Sequence, residues 1–357
     1  MNGAATFRSL FGRRDWDGAA DQQLLCKQVQ QITSDVRTFV LEPVEPRLFR
    51  HDPGQHLVVT VEIDGREVER CYTISSPPTR PHLVAITVKR VPGGPVSNWL
   101  HDRLTPGAVL RARGPLGEFS MVHHPADKYL FLSGGSGVTP LMSMTRTLHD
   151  LASPADVVFV HSARTPDDIV FRQELALLAA TSEGIRVSHI CEADGPTERW
   201  DGHRGRLTTD VLRQIAPDFL DREAFVCGPA GYMKAVRLML AEAGFFMDHY
   251  HQESFTITPP EPVRAVSSVD ESFSVELARS GLTIECAAGT SVLDAAARSG
   301  ISLPSSCGQG MCGTCKATLL KGSVDMQHNG GIRPRDRAEQ KILLCCSKPL
   351  EDLVIDA

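Results

Sequence analysis

The sequence predicts a multi-domain chain: a small antiparallel β-barrel, then an α/β domain with a parallel sheet, then a smaller α+β domain. Three observations predict this order. Short β-rich runs, interrupted by Gly and Pro about every ten residues, occupy residues 22–122. Apolar strands then alternate with helical stretches over residues 126–255. Five of the ten cysteines lie between positions 307 and 346, in a chain of 357 residues that is long enough for two or three cores.

The composition is that of a soluble globular protein. Hydrophobic residues make up 42% of the chain and charged residues 22%, and the net charge of −6 gives no sign of a nucleic-acid partner. No apolar run reaches the length of a membrane span. Residues 1–21, to which we assign no role, lack the apolar segment of a secretory signal. We therefore expect a cytoplasmic protein with no membrane partner, whose cysteines are not paired in disulfides.

The β-rich region contains a first motif suited to a flavin nucleotide. The expected strands are VRTFVLEP, QHLVVTVEI, HLVAITVKR and VLRARGPLG, and the motif RCYT lies between the second and third of them. Strand alternation places Arg70 and Tyr72 on one face. An arginine fork suits a pyrophosphate, and a tyrosine ring suits stacking on an isoalloxazine. The hydroxyl of Thr73 is of the right type to hydrogen-bond the N5 edge of the flavin.

A second motif in the same region, GGPVSNWL, supplies Gly94, Val96 and Ser97. Gly93 and Gly94 precede a helix that we expect to start at Ser97. Their backbone amides would be available to phosphate oxygens at that helix N-terminus.

The α/β region contains a glycine-rich turn after its first strand. The expected strands are KYLFLSG, DVVFVHSA, IRVSHICEA and EAFVCGP. After the first of them come Gly135 and Gly137, and then a helix that opens with Thr139 and Pro140. Glycines let the backbone approach a pyrophosphate at a helix N-terminus, and proline is favoured in the first helical turn. Parallel sheets bind ligands outside the carboxyl ends of their strands, so we expect a nucleotide site there.

The third region follows a Pro- and Ser-bearing stretch, residues 256–270, that is typical of a linker. Residues 271–357 begin with FSVELA and LTIECA, which flank the turn RSG as a hairpin. Thr290 or Ser291 can cap the following helix, SVLDAAARSG. A strand KATLL, a turn at Lys321-Gly322 and a last strand DLVID come after the cysteine-rich loop.

The cysteine-rich loop, CGQGMCGTC, has the C-x₄-C-x₂-C spacing of plant-type [2Fe–2S] ferredoxins. Cys307, Cys312 and Cys315 would supply three thiolates, and the intervening glycines let the loop bend around two irons. The fourth ligand is Cys345 or Cys346. Cys345 fits better, because its neighbour Pro349 resembles the plant-type ferredoxin pattern, in which a proline follows the ligand after four residues. A Cys₄ zinc site is the alternative, although zinc ribbons usually contain two C-x₂-C pairs and this region has one.

Together these motifs resemble the ferredoxin–NADP⁺ reductase superfamily, fused to a C-terminal plant-type ferredoxin. RxY(S/T) followed by G-x-x-S-x-x-L looks like its FAD-binding domain, and the GxGxTP and CGP motifs look like its nicotinamide domain. The resemblance implies a β-grasp fold for residues 271–357. It also implies that Cys227, followed by Gly228 and Pro229, lies near the nicotinamide C4. Glu253 and Phe255 would be the acid and the aromatic that relatives hold against the flavin.

The nicotinamide cofactor is expected to be NADH, with NADPH left open. The strand DVVFVHSAR ends without an acid to bind a ribose 2′-hydroxyl, and Arg164 could attract a 2′-phosphate. Oxygenase reductases with a similar R-x-x-x-D pattern are mostly NADH-linked, which favours NADH.

The order FAD, nicotinamide, ferredoxin resembles the reductases of Rieske-type oxygenases and of hybrid-cluster proteins. The C-terminal stretch MQHNGGIRPRDRAEQKILLCCSKPLEDLVI is most similar to reductases that serve demethylation of glycine betaine, carnitine or stachydrine. This resemblance implies electron transfer from NADH through FAD and the cluster to a terminal oxygenase. The alternatives are a hybrid-cluster protein or an aromatic-ring oxygenase as acceptor, a free-standing NADH oxidase or diaphorase, and a non-enzymatic redox sensor.

Overall fold

The structure is a computed structural model that describes residues 14–16, 22–253, 272–301, 303–305, 308, 310, 313, 315–328, 332 and 334–357. The chain divides into two compact units, Met1–His251 and Gln252–Ala357. The first unit contains two large sheets and the second contains one. Phe255, Cys307, Cys312 and the expected linker 256–270 lie outside the described residues.

The first sheet of the first unit is an antiparallel barrel, as predicted. Its strands are β2 (Gln22–Thr33), β3 (Val36–Pro43), β5 (His56–Ile63), β6 (Arg66–Thr73), β7 (Val84–Lys89) and β8 (Val109–Leu116). They pair in the order β6-β5-β8-β2-β3-β7. An antiparallel bridge from Ile74 to Ile86 joins the two edge strands and closes the sheet. Short strands β1 (Arg14–Asp15) and β4 (Arg47–Leu48) pair separately, and helix α1 spans Pro95–Arg103.

Local chemistry explains this barrel. Its strands are rich in Val, Ile, Leu and Phe, and core side chains such as Phe39, Leu57 and Ile86 are fully buried. The turn between β5 and β6 is Asp64-Gly65, with φ values of 51° and 72°. Both lie in the left-handed region, which Asp tolerates and Gly adopts freely, so this two-residue hairpin has the turn that its strand twist requires.

The second sheet of the first unit is built around parallel strands. Its strands are β9 (Lys128–Gly134), β10 (Asp156–Ala163), β11 (Ile185–Cys191), β12 (His203–Arg204), β13 (Glu223–Cys227) and β14 (Tyr250–Glu253). Its helices are α2 (Val138–Asp150), α3 (Arg172–Thr181), α4 (Thr209–Ile215) and α5 (Ala230–Glu242). The strand order is β12-β11-β10-β9-β13-β14. The strands that follow β9 in the chain lie on both sides of it, so the direction in which strands are added reverses at β9. A crevice forms at the carboxyl end of β9, where this reversal occurs.

Helix α2 fastens the second sheet to the barrel. The guanidinium of Arg146 donates to the carbonyl of Ser75 at 2.5 Å and also binds Glu174. The hydroxyl of Ser143 donates to the carbonyl of Ser76 at 2.8 Å. Both carbonyls belong to the segment that directly follows β6. The nucleotide helix is therefore hydrogen-bonded to the chain that leaves the RCYT motif.

The second unit is a mixed sheet with a packed helix, consistent with a β-grasp. Its main sheet has the order β16-β15-β21-β17-β19, and β18 pairs with β20. The strands are β15 (Ser272–Leu277), β16 (Leu282–Ala287), β17 (Lys316–Lys321), β18 (Val324–Met326), β19 (Lys341–Leu343), β20 (Ser347–Pro349) and β21 (Leu353–Asp356). The helices are α6 (Val292–Arg298) and α7 (Pro334–Ala338).

The local predictions for this unit are confirmed. β15 and β16 form the antiparallel hairpin, and Ser291 caps α6 by accepting a hydrogen bond from the amide of Asp294 at 3.2 Å. Across the helices of the described residues, none is long and apolar enough to cross a membrane.

Candidate functional sites

The RCYT motif forms the end of β6, and its side chains differ in how deeply they are buried. Arg70 is half-buried and donates to the carbonyl of Glu69 at 2.6 Å. Burial raises the pKa of the Tyr72 hydroxyl well above its ordinary value, so the phenol stays neutral. Thr73 is 4% exposed, and its Oγ1 has no hydrogen-bond partner among the described residues. A buried hydroxyl without a partner is costly, so a polar ligand edge at Thr73 fits this site.

The GGPVSNWL motif forms a tight turn into α1. The helix begins at Pro95, so the expected start at Ser97 is wrong by two residues, because proline suits the first helical position. Gly94 precedes the helix, and a Cβ there would lie 2.7 Å from Ser97 Oγ. Ser97 Oγ accepts from the amide of Val91 and donates to the carbonyl of Gly94, both at 3.2 Å. The side chain of Val96 packs in the barrel core, so its amide is the part suited to a ligand.

The glycine turn after β9 meets the CGP motif. Gly135 adopts a φ of 54°, and Thr139 Oγ1 donates to the carbonyl of Ser136 at 3.1 Å. A Cβ at Gly137 would lie 2.3 Å from the carbonyl oxygen of Cys227 and 2.5 Å from the amide of Gly228. The two predicted motifs therefore touch at the carboxyl ends of β9 and β13. Pro140 is buried in the first turn of α2.

A cavity of about 180 Å³ opens beside this contact. Its second-sheet lining includes predicted residues Gly135, Arg164 and Pro229, and the barrel contributes Asp35, Val36 and Lys89. Its remaining lining residues are Gly134, Ser136, Ser162, Ala163, Asp168, Val170, Glu192 and Tyr232. Sequence reasoning missed Ser162, Glu192 and Tyr232. The rule that parallel sheets bind at their strand ends could have found the first two, which lie at the ends of β10 and β11.

Cys227 and Glu253 are both buried, and neither lines this cavity. Cys227 is the last residue of β13 and lies behind Gly137, while Glu253 is the last residue of β14. Arg164, by contrast, is well exposed and donates to Asp168 Oδ1 at 2.9 Å. Its guanidinium is thus already engaged by a carboxylate at the mouth of the cavity.

Two histidines are register partners on the neighbouring strands β10 and β11. His161 in β10 is fully buried, and its Nδ1 is 2.7 Å from the hydroxyl of Ser133 in β9. Burial, with a smaller contribution from nearby His189, lowers the pKa of His161 to about 3. Burial likewise lowers the pKa of His189 to about 4. Both imidazoles are therefore neutral at physiological pH.

The described glycines of the cysteine-rich loop adopt the left-handed backbone conformation that glycine favours. Gly308, Gly310 and Gly313 have φ values of 65°, 68° and 77°. The amide of Gly310 donates to the sulfur of Cys345 at 3.1 Å, whereas the thiol of Cys346 faces the carbonyl of Leu343 at 3.6 Å.

This difference separates the two adjacent cysteines. An amide directed at sulfur stabilises a thiolate, which is the form that ligates iron. The Cys346 thiol lies against a backbone carbonyl instead. Cys315 is buried at the start of the segment that leads into β17. The donor set in the described part of the loop thus fits an iron–sulfur cluster.

A flavin-type barrel, a nucleotide crevice and a thiolate loop define an electron-transferring oxidoreductase. Comparison with protein families agrees. The "Oxidoreductase FAD-binding domain" matches residues 23–121, the "Oxidoreductase NAD-binding domain" matches residues 131–238, and the "2Fe-2S iron-sulfur cluster binding domain" matches residues 275–350.

Curated relatives match nearly the whole chain. The glycine betaine monooxygenase reductase subunit of Pseudomonas aeruginosa UCBPP-PA14 is 48% identical over 343 residues, which are 93% of this chain and 94% of that protein. The stachydrine N-demethylase reductase subunit Stc4 of Rhizobium meliloti 1021 is 42% identical over 346 residues, 96% of this chain and 98% of that protein. The chain belongs to this family of monooxygenase reductase subunits, and its cofactors are FAD, a nicotinamide dinucleotide and a [2Fe–2S] cluster.

Solved structures share the three-part architecture. Phthalate dioxygenase reductase has a TM-score of 0.58 at 25% identity, with 95% of this chain and 98% of that chain covered. An intact type IV self-sufficient cytochrome P450 monooxygenase has a TM-score of 0.73 at 25% identity and is matched by 100% of this chain. This chain spans 44% of that P450 chain.

Proposed function

We propose that the protein is the NADH-dependent reductase of a Rieske-type oxygenase that demethylates glycine betaine or a closely related quaternary ammonium compound in the cytoplasm. The observation that carries this proposal is the near full-length similarity to glycine betaine monooxygenase reductase subunits. An iron–sulfur cluster needs reduced cysteine ligands, which a reducing compartment maintains, and this supports the location. When bound, the cofactors supply the chemistry: hydride is accepted at the flavin, and electrons leave singly through the iron–sulfur cluster.

In the flavin site, the residues of this chain bind the FAD and orient it. We assign Arg70 to the pyrophosphate, the neutral ring of Tyr72 to one face of the flavin and the hydroxyl of Thr73 to its polar edge. The unpartnered, buried Oγ1 of Thr73 supports the last role. The amides of Gly94, Val96 and Ser97 would hold phosphate oxygens at the N-terminus of α1, where the helix dipole favours negative charge. Ser97 supports that turn through its bonds to Val91 and Gly94.

In the nicotinamide site, the turn at Gly135 and Gly137 and the first helical residues Thr139 and Pro140 would hold the pyrophosphate of NADH. Gly228 and Pro229 would form the wall of the site beside Cys227, which we assign to the reacting end of the nicotinamide. Glu253, with Phe255 near it in sequence, is assigned to the flavin side of the same reaction. Cys227 and Glu253 are both buried, which keeps water away from these two side chains.

NADH rather than NADPH is supported by charge at the mouth of the cavity. Arg164 would be the residue to attract a 2′-phosphate, but Asp168 Oδ1 holds its guanidinium at 2.9 Å. Glu192 lines the same cavity and adds a second carboxylate. The other cation of the lining, Lys89, is also paired, with Asp35 at 3.2 Å. A 2′-phosphate would thus meet only cations that are already paired, whereas a 2′-hydroxyl could donate to Asp168 or Glu192.

For the cluster, we propose Cys307, Cys312, Cys315 and Cys345 as the four ligands, and the Gly310 amide supports Cys345. We further propose that the chain is organised as 22–122 for FAD, 126–255 for the nicotinamide, a linker at 256–270 and 271–357 for the cluster. In this scheme the electrons pass from the last domain to the oxygenase, which activates oxygen.

The test is reconstitution with defined acceptors. The purified protein is mixed with NADH and a glycine betaine oxygenase, and formaldehyde release is measured together with the rate at which the oxygenase is reduced. We expect rapid reduction and stoichiometric demethylation, slower turnover with NADPH, and similar behaviour with a carnitine or stachydrine oxygenase if one of those is the partner. Rapid reduction of a hybrid-cluster protein, without demethylation of any of the three compounds, would refute the proposed partner.

A further inference from the structure

Three histidines surround one carboxylate in the first unit, at the opposite end of β13 from Cys227. Glu223 is the first residue of β13. His251 Nε2 lies 2.5 Å from Glu223 Oε1, and His124 Nδ1 lies 3.9 Å from the same oxygen. His249 Nδ1 lies 3.0 Å from the other oxygen, Oε2. These residues come from three separate parts of the chain, and neither the flavin site nor the nicotinamide site uses them.

The side chains of this group of histidines around Glu223 are largely buried. The side chains of His124 and Glu223 are each 13% exposed, and that of His251 is 5% exposed. Arg222, immediately before Glu223, is fully buried and binds Asp156 and Asp218, which fixes the start of β13. The ring of Phe225 packs against His251 at a centroid distance of 4.9 Å. These contacts fix the strand that carries Glu223, so its carboxylate is held in place at the centre of the group.

The donor set is the one that zinc prefers. Imidazole nitrogen and carboxylate oxygen bind Zn²⁺ at about 2.0–2.2 Å, which puts neighbouring ligand atoms of a tetrahedral site roughly 3.3–3.5 Å apart. One ligand atom from each of His124, Glu223 and His251 lies within 4.8 Å of the others. The Glu223 oxygens lie 2.5 Å from His251 Nε2, 3.0 Å from His249 Nδ1 and 3.9 Å from His124 Nδ1, which is on both sides of this spacing.

We propose that His124, Glu223 and His251 bind one divalent transition-metal ion, Zn²⁺ or an ion of similar ligand preference, with the half-exposed His249 as the fourth ligand. The His124 and His251 rings stack at 3.7 Å with an interplanar angle of 18°. On binding, these rings tilt apart so that both nitrogens face the ion, and His251 gives up the hydrogen bond to Glu223. The ion would tie the segment that enters the second sheet to β14, its edge strand, and so act as a structural clasp.

The experiment uses the full-length protein loaded with FAD and two irons per chain. It is dialysed against a chelator and titrated with ZnCl₂ at pH 7.5 in competition with a chromophoric indicator, and zinc and iron are counted by mass spectrometry. We expect one zinc per chain in addition to the irons, and a higher midpoint for thermal release of FAD. Loss of an outer-shell partner already costs about 10–100-fold in metal affinity, so His124→Asn and Glu223→Gln should weaken binding by at least about 100-fold.

His249→Asn is the second variant, because its half-exposed side chain can be replaced with little risk to folding. Because it removes a ligand, it should weaken zinc binding by at least about tenfold and leave the FAD and iron contents unchanged. His82→Asn, at an exposed histidine outside the cluster, is the matched control and should bind zinc like the wild type. Stoichiometric zinc that survives in His124→Asn and Glu223→Gln, or less than one zinc per chain in the wild type at saturation, would overturn the proposal.

Discussion

Acid should destabilise the first unit through one buried histidine, and His161→Gln should reduce that effect. Burial lowers the pKa of His161 to about 3 from an ordinary value of 6.5. Below pH 6.5 the His161 side chain is therefore protonated in the unfolded chain. In the folded chain it stays neutral until the pH falls to about 3. Stability is unaffected above pH 6.5 and falls as the pH drops through that window.

The magnitude follows from the proton difference. Each pH unit in the window costs about 1.4 kcal/mol, so His161 alone should remove about 2 kcal/mol between pH 6.5 and pH 5. Glutamine is neutral at every pH and can still hydrogen-bond the Ser133 hydroxyl. The loss of unfolding free energy from pH 7.5 to pH 5 should therefore be about 2 kcal/mol smaller in His161→Gln than in the wild type.

The assay is urea unfolding at a series of pH values, followed by flavin fluorescence, since release of FAD reports on the first unit. His82→Gln, at an exposed histidine, is the control and should lose as much stability as the wild type. If His161→Gln loses as much stability between pH 7.5 and pH 5 as the wild type, then His161 does not resist protonation in the folded chain and the reasoning fails.

Two further predictions concern the cofactor sites. Cys345→Ser should lose iron and the visible absorption bands of the cluster, while Cys346→Ser should keep both. The reason is that, in the described part of the loop, only the Cys345 sulfur accepts a hydrogen bond from the Gly310 amide. Iron analysis of the two variants tests this, and the reverse result would exchange the roles of the two cysteines. Gly137→Ala should weaken NADH binding by about tenfold or more, since its Cβ would lie 2.3 Å from the Cys227 carbonyl. Gly231→Ala, with nothing within 4 Å, is the control, and calorimetric titration with equal affinities for the two variants would contradict the clash.

Much of the fold could be predicted because its signals are local. The alternation in the barrel strands, the apolar runs of the parallel sheet and the Ser291 cap each depend on residues close together in sequence. The meeting of Gly137 with Cys227 was also foreseeable, because both follow parallel strands and such strand ends share one edge. The predicted start of α1 is two residues too late because serine is a common residue at a helix N-cap. In the structure Ser97 lies inside the helix, and its hydroxyl bonds to the turn that precedes it.

Other features could not be found in this way. Closure of the barrel depends on the Ile74–Ile86 bridge, which two ordinary apolar residues form across the sheet. The group around Glu223 joins positions 124, 249 and 251, and no spacing rule connects the first of these with the others. The low pKa of His161 arises from depth in the sheet, and a single histidine in a strand carries no sign of how far from water it will lie.

The hydrogen bonds from α2 to the chain after β6 bear on how reductases of this kind can be recombined. Arg146 and Ser143 contact carbonyls only two and three residues beyond Thr73, so the nucleotide helix and the flavin strand must be inherited together. A chimera joined near residue 125 would pair an α2 from one parent with a β6 segment from another and disturb both sites. A chimera joined after β14 leaves these bonds intact, which makes the cluster unit the exchangeable part for redirecting electrons to a new acceptor.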